Sequence, residues 1–144
     1  MARGGAKDDP AKWVALRAYR RAGDGARPEP LGARMRRDDA LLVAYDNAGP
    51  RAYAWLMVYA VDASGSVRWY YPAFEAPGQD PSSIAIAAGS GVELPDQVRH
   101  PLAAGPMRLH ALFSRAALRV TDVERDPDRI PDGAARATIE LHVD

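Results

Sequence analysis

Residues 52–72, AYAWLMVYAVDASGSVRWYYP, constrain the fold of this chain more than any other stretch. An apolar run, a polar turn and an aromatic run follow one another, which is the pattern of a β-hairpin. The stretch holds two of the three tryptophans and four of the six tyrosines. So much apolar surface must be covered on at least one face, because its exposure opposes folding. The hairpin is therefore placed at the centre of a β-sheet domain. Its first strand, Tyr53 to Val61, is apolar on both faces, as in strands covered on both sides. Asp62 to Ser66 turns the chain, with Asp62 in an Asx-type bond to the backbone and Gly65 free to take positive φ. If Val61 faces Val67, Tyr59 lies opposite Trp69 and Met57 opposite Tyr71. That register gathers Tyr53, Trp55, Tyr59, Trp69 and Tyr71 on one face. Pro72 ends the second strand, since it cannot donate to a ladder.

The remaining segments extend the same pattern. Trp13 to Arg20 alternates with period two and reads as a strand. Arg21 to Pro30 carries Gly and Pro and reads as a loop. Ala40 to Tyr45 is a strand with Leu41, Val43 and Tyr45 on one side. Ile84 to Ala88 and Val92 to Leu94 are short strands around a Gly89-Ser90-Gly91 break. Pro95 to Pro106 is a polar connection, with an extended stretch near Val98. Met107 to Ser114 places Met107, Leu109, Ala111 and Phe113 on one face. Thr121 and Glu124 match a capping box for a single helical turn. Ala137 to Val143 alternates, with Ile139, Leu141 and Val143 inward. Short strands between Gly/Pro turns predict an all-β fold, an antiparallel β-sandwich of immunoglobulin-like architecture with at most one short helix.

With 144 residues, the chain is expected to form one domain. Residues 1–12 are Gly-rich and charged and read as a flexible tail; residues 13–144 form the domain. Acidic and basic residues balance at 19 each, which argues against a nucleic-acid partner, since phosphate binding draws on net cationic charge. The run Arg34, Arg36, Arg37 is followed by Asp38 and Asp39 and reads as a solvated loop or strand edge. Cysteine is absent, so disulfides, thiol catalysis and thiolate metal sites are excluded. The longest apolar stretch, Ala52 to Val61, is too short to span a bilayer. The N-terminus has no apolar signal-peptide core. The compartment is left open: cytoplasmic if this is the whole chain, periplasmic or envelope-facing if it belongs to an anchored protein.

Four motifs in order, RDDALLVAY, AWLMVYAVDASGSVRWYYP, AAGSGVELP and GPMRLHALFS, resemble a group of bacterial sandwich domains, the domain of unknown function of the "forty-three eighty-four" type. The resemblance covers about Trp13 to Arg125. It implies an accessory module, of the kind found beyond a membrane helix in anti-sigma-factor-like proteins or beside caspase-like peptidase and protein-kinase domains. It implies no catalytic residues.

Candidate chemistry is sparse. His110 and His142 sit opposite the apolar stripes of their strands and could approach Glu140 if those strands were neighbours. A zinc site needs three or four converging ligands, and the preferred reading is that both histidines lie on a solvated face. His100, before Pro101 in a loop, is given no role. Ser64, Ser66 and Ser114 lack a nucleophile-elbow context and read as turn or cap residues. Asp62, Asp80, Asp96 and Asp122 lack the spacing of a calcium loop. The aromatic face is the one constellation worth weighing. Its simpler reading is core; its sharper reading is a platform for a sugar, peptide or partner protein.

The expectation is a non-catalytic sensing or protein-interaction domain of a bacterial regulatory or envelope protein, with no cofactor or metal. The alternative is a carbohydrate- or cell-wall-binding module that uses exposed Trp and Tyr. A metal-dependent hydrolase at His110 and His142 is the least favoured.

Overall fold

A computed structural model describes residues 13–23, 25–73, 79–95 and 99–144. The tail assigned to residues 1–12, Asp96 and the stretch near Val98 lie outside the described residues. Among the described residues ten strands and one helix follow in order. They are β1 (Val14–Arg21), β2 (Glu29–Pro30), β3 (Arg34–Met35), β4 (Ala40–Asn47), β5 (Trp55–Val61) and β6 (Val67–Tyr71). After these come β7 (Ile84–Ala85), β8 (Gly89–Glu93), β9 (Gly105–Ser114), α1 (Val120–Glu124) and β10 (Ala135–Val143).

The strands make two sheets. One runs β2-β1-β4-β8; the other runs β3-β10-β9-β5-β6, with β7 also pairing β5. All pairings are antiparallel except β3 with β10. The fold is thus all-β, with one short helix among the described residues, as the turn spacing predicts. Among the described residues, no helix is long and apolar enough to cross a membrane.

The main core lies between the sheets. Val14, Leu16 and Ala18 of β1 and Leu41, Val43 and Tyr45 of β4 meet Leu56, Val58 and Ala60 of β5 and Met107, Leu109, Ala111 and Phe113 of β9. These are the inward members of each period-two pattern, so alternation in sequence becomes a two-sided core. Tyr45 meets Phe113 edge-on across the sheets, with ring centroids 6.2 Å apart. The other face of β5 is covered as well. Met57 and Tyr59 join Trp69, Leu112, Val120 and Val123 in a second, smaller cluster beneath α1. This is why β5 is apolar on both faces.

Three local readings are corrected. Val61 does face Val67 and Tyr59 does face Trp69, but a bulge follows, and Tyr71 pairs with Val58 rather than Met57. The extra residue turns both Tyr70 and Tyr71 into the inter-sheet core. Gly89 and Gly91 do not break the chain but belong to β8. There Gly91 takes φ +63° and its N–H donates to Asp46 at 2.6 Å. The helix is capped by other groups than expected. The Arg119 N–H donates to Asp122 at 2.9 Å, while Thr121 donates from its N–H and its hydroxyl to Asp80, both at 3.0 Å.

Candidate functional site

The five aromatics expected to share one face are split by the bulge and by the sandwich. Tyr53 and Tyr71 belong to the inter-sheet core and Tyr59 and Trp69 to the cluster under α1. All four are at most 5% exposed; Trp55 is half-buried. Their polar tips are satisfied inside the protein where bonds exist: the Tyr59 hydroxyl donates to the Pro127 carbonyl at 3.0 Å and the Trp69 indole to Glu124 at 3.0 Å. Tyr53 carries the Arg115 guanidinium 4.4 Å above its ring. The exposed-platform reading is therefore corrected, and the core reading describes these residues.

The histidines also part company. In the β9–β10 register His110 faces Thr138, whereas His142 faces Pro106, four residues and ~13 Å further along the strand. Among the described residues no three His, Cys, Asp or Glu side chains gather to hold a metal. His110 is not on a solvated face; it is buried, with Nδ1 2.8 Å from the Thr138 hydroxyl and its ring 5.2 Å from that of Tyr59. Its apolar setting, with Arg136 and Arg108 nearby, pushes its pKa down to about 4. It stays neutral because a charge there would be desolvated and repelled.

A different group of side chains does converge. A cleft of about 580 Å³ is lined by Arg37, Arg68, Arg99 and His100, with Asp38 as the one acidic residue among the described lining. Pro101, Leu102 and Ala103 supply its apolar surface. Three separate segments build it: the turn between β3 and β4, strand β6, and the chain entering β9.

The turn is folded over Asp39, which is buried and accepts from the Arg36 N–H at 2.9 Å and from Arg20 at 3.1 Å. The hairpin turn is folded over Asp62. One oxygen of Asp62 accepts from the N–H groups of Ser64 (3.0 Å) and Ser66 (3.2 Å) and from the Ser64 hydroxyl, as the Asx reading predicts. Its other oxygen reaches across to the Ala103 N–H at 3.4 Å and to Arg68 Nε at 3.5 Å. Burial opposes ionisation of Asp62, but the bonds from Ser64, Ala103 and Ser66 outweigh it and hold the carboxyl below its ordinary range. Asp62 thus locks the hairpin, the entry to β9 and one cleft arginine together.

Two further ties close the walls. His100 Nε2 contacts the Trp69 carbonyl on the outer edge of β6, and its ring stands edge-on to Tyr70 at 4.9 Å. A carbonyl only accepts, so Nε2 carries the proton. Arg99 donates to the Asp38 carbonyl. Burial raises the Tyr70 hydroxyl well above its ordinary pKa, so the ring that His100 packs against is neutral.

Sequence reasoning missed this site. Arg37, Arg68 and Arg99 lie far apart in the chain, and only the fold joins them. The reading of the basic run as a solvated loop or strand edge fits all three arginines: Arg34, paired with Asp144, lies on the edge strand β3, and Arg36 and Arg37 are exposed in the turn that follows it. His100, given no role, ties the cleft to the sheet edge. Two further clefts differ in charge: one sets Arg108 against Asp62 and Glu140, and the other has only Glu93 as a charged residue.

Comparison with family models, curated proteins and solved structures finds no match to this chain, so the resemblance to the forty-three eighty-four type domain rests on the four sequence motifs.

Proposed function

We propose that this chain is a non-catalytic interaction domain, whose cleft at Arg37, Arg68, Arg99 and His100 takes an acidic group of another protein or domain. The observation that carries this reading is that three arginines from separate segments, Arg37, Arg68 and Arg99, line one cleft, with Asp38 as the one acidic residue among its described lining. The chain has as many acids as bases; outside the cleft Arg17, Arg34 and Arg108 are paired with Asp46, Asp144 and Asp128, and within it Arg68 is paired with Asp62. Arg37 and Arg99 have no ion pair among the described residues. Gathering like charges on a concave wall is unfavourable for the free protein and favourable once an anion enters. Complementary charge of this kind chiefly sets partner choice and encounter rate. The motif resemblance supports the same reading, because it implies an accessory module working beside other domains. The carbohydrate alternative would rest on Trp55 alone among the five aromatics.

Calorimetric titration with a hexaglutamate peptide, and with hexaglutamine as the neutral control, tests the proposal. Hexaglutamate is expected to bind with an affinity that weakens as salt is added, and hexaglutamine not to bind. Joint Arg37→Glu and Arg99→Glu substitution is expected to abolish the signal, and Arg129→Glu, at an exposed site outside the cleft, to preserve it. Hexaglutamate binding that survives the double charge reversal, or no binding at all, overturns the assignment of the cleft.

A further inference from the structure

The three cleft arginines are held differently, and the difference points to the shape of the anion. Arg68 is fixed through Nε, which faces Asp62 at 3.5 Å. Its two terminal amino groups have no protein acceptor among the described residues. Arg99 is fixed through Nη1 on the Asp38 carbonyl, which leaves Nη2 and Nε. Arg37 has all its donors unused among the described residues. The three come from a turn, a strand and a loop, so they reach the cleft from three separate segments. A single carboxylate is planar, has two oxygens and is saturated by one or two guanidiniums in its plane. A phosphoryl group has three oxygens disposed in three dimensions and carries nearly two charges at neutral pH. It matches three guanidiniums that arrive from separate segments.

We infer that the group held by Arg37, Arg68 and Arg99 is a phosphoryl group, carried on a side chain of the protein partner; this rests on the proposed function of the same cleft. The apolar wall of Pro101, Leu102 and Ala103 then packs against the residues that flank the phosphorylated one. Arg68 is the pre-positioned donor, because Asp62 holds it before any ligand arrives. Arg37, which has no partner among the described residues, supplies a further donor to the anion. His100 acts through the fold: its bond to the Trp69 carbonyl sets the position of the wall that carries Arg99.

The test titrates the isotopically labelled protein with three probes at matched ionic strength. They are inorganic phosphate, a Gly/Ser-flanked phosphoserine peptide, and the same peptide with Glu in place of phosphoserine. The readout is the NMR shift of the arginine Nε–H groups. The phosphoserine peptide is expected to saturate shifts of Arg37, Arg68 and Arg99 together, inorganic phosphate to compete with it, and the Glu peptide to bind about tenfold more weakly. Arg37→Ala and Arg99→Ala are each expected to weaken phosphopeptide binding about tenfold, whereas Arg129→Ala leaves it unchanged. Binding of the Glu peptide as tight as that of the phosphopeptide overturns the phosphoryl assignment and leaves the acidic-group reading standing. Inorganic phosphate that binds as tightly as the phosphoserine peptide overturns the protein-borne source and assigns the cleft to the free ion. Shifts that never saturate with any probe, together with no hexaglutamate binding, overturn both readings.

Discussion

Single buried polar residues do much of the ordering in this molecule. Asp62 replaces water around one carboxylate with donors from two chain segments, so a residue readable as a turn former also anchors a cleft wall. His110 works in the opposite sense, as a buried base kept uncharged. Its surroundings hold its pKa near 4, against 6.5 when exposed. Between those values the unfolded chain binds a proton that the native state refuses. Stability is therefore full above about pH 6.5 and falls as the pH drops toward 4. By pH 5 the loss from this one residue is about 2 kcal/mol. Asp46, Asp62 and Asp144 have lowered pKa values, and their contributions are lost only at lower pH as they protonate. Urea denaturation at pH 7 and pH 5 is expected to show this loss in the wild type. His110→Phe, which keeps a ring beside Tyr59, is expected to flatten the difference while shifting both values through the lost Thr138 bond. Equal pH dependence in the two proteins would mean that His110 is not the titrating group.

At the scale of elements, α1 illustrates how a five-residue helix survives. A helix this short does not form by itself; its apolar side, Val120 and Val123, sits on the Met57, Tyr59 and Trp69 face of the sheet. Its start is satisfied by Asp80, from a distant part of the chain. Asp80→Ala removes both acceptor bonds to Thr121 and is expected to destabilise the protein by about 1 kcal/mol. The same change should speed hydrogen exchange of the Arg125 amide, which donates to the Thr121 carbonyl. Unchanged protection at that amide would show that packing alone holds the turn. The strands were legible because alternation and covalent geometry agree: inward Val14, Leu16 and Ala18, or Ile139, Leu141 and Val143, follow from period two. The cap was not legible, because Thr121 and Glu124 satisfy a local pattern while the real acceptor is set by tertiary approach. The bulge was hidden for a similar reason. Trp69, Tyr70 and Tyr71 are all large aromatics, so an alternation pattern cannot tell which of them is the extra residue. Once the bulge shifts the register, the supposed aromatic face divides between two cores.

The whole molecule explains why a fold can be read from sequence while its site cannot. Core patterns repeat along the chain and average over many residues, whereas the cleft depends on three single arginines that meet only after the sheets have docked. Docking itself is a shared event, since the inter-sheet core draws on β1 and β4 from one sheet and β5 and β9 from the other. Neither sheet has a second apolar face large enough to stand alone; the cluster under α1 covers only part of one. Phe113 is the strongest probe of this coupling. It is fully buried on β9 and lies 6.2 Å, ring to ring, from Tyr45 of the opposite sheet and from Tyr53. Phe113→Ala removes those contacts and leaves a cavity between the sheets, at an expected cost of about 3–5 kcal/mol. Because that cavity weakens both sheets at once, far-UV circular dichroism and tryptophan fluorescence should still report one transition, merely displaced to lower denaturant. Separate midpoints for the two probes would mean that one sheet keeps its structure without the other. In that case the cleft, whose arginines all come from the β3–β4 turn, β6 and the entry to β9, would outlast the loss of part of the core.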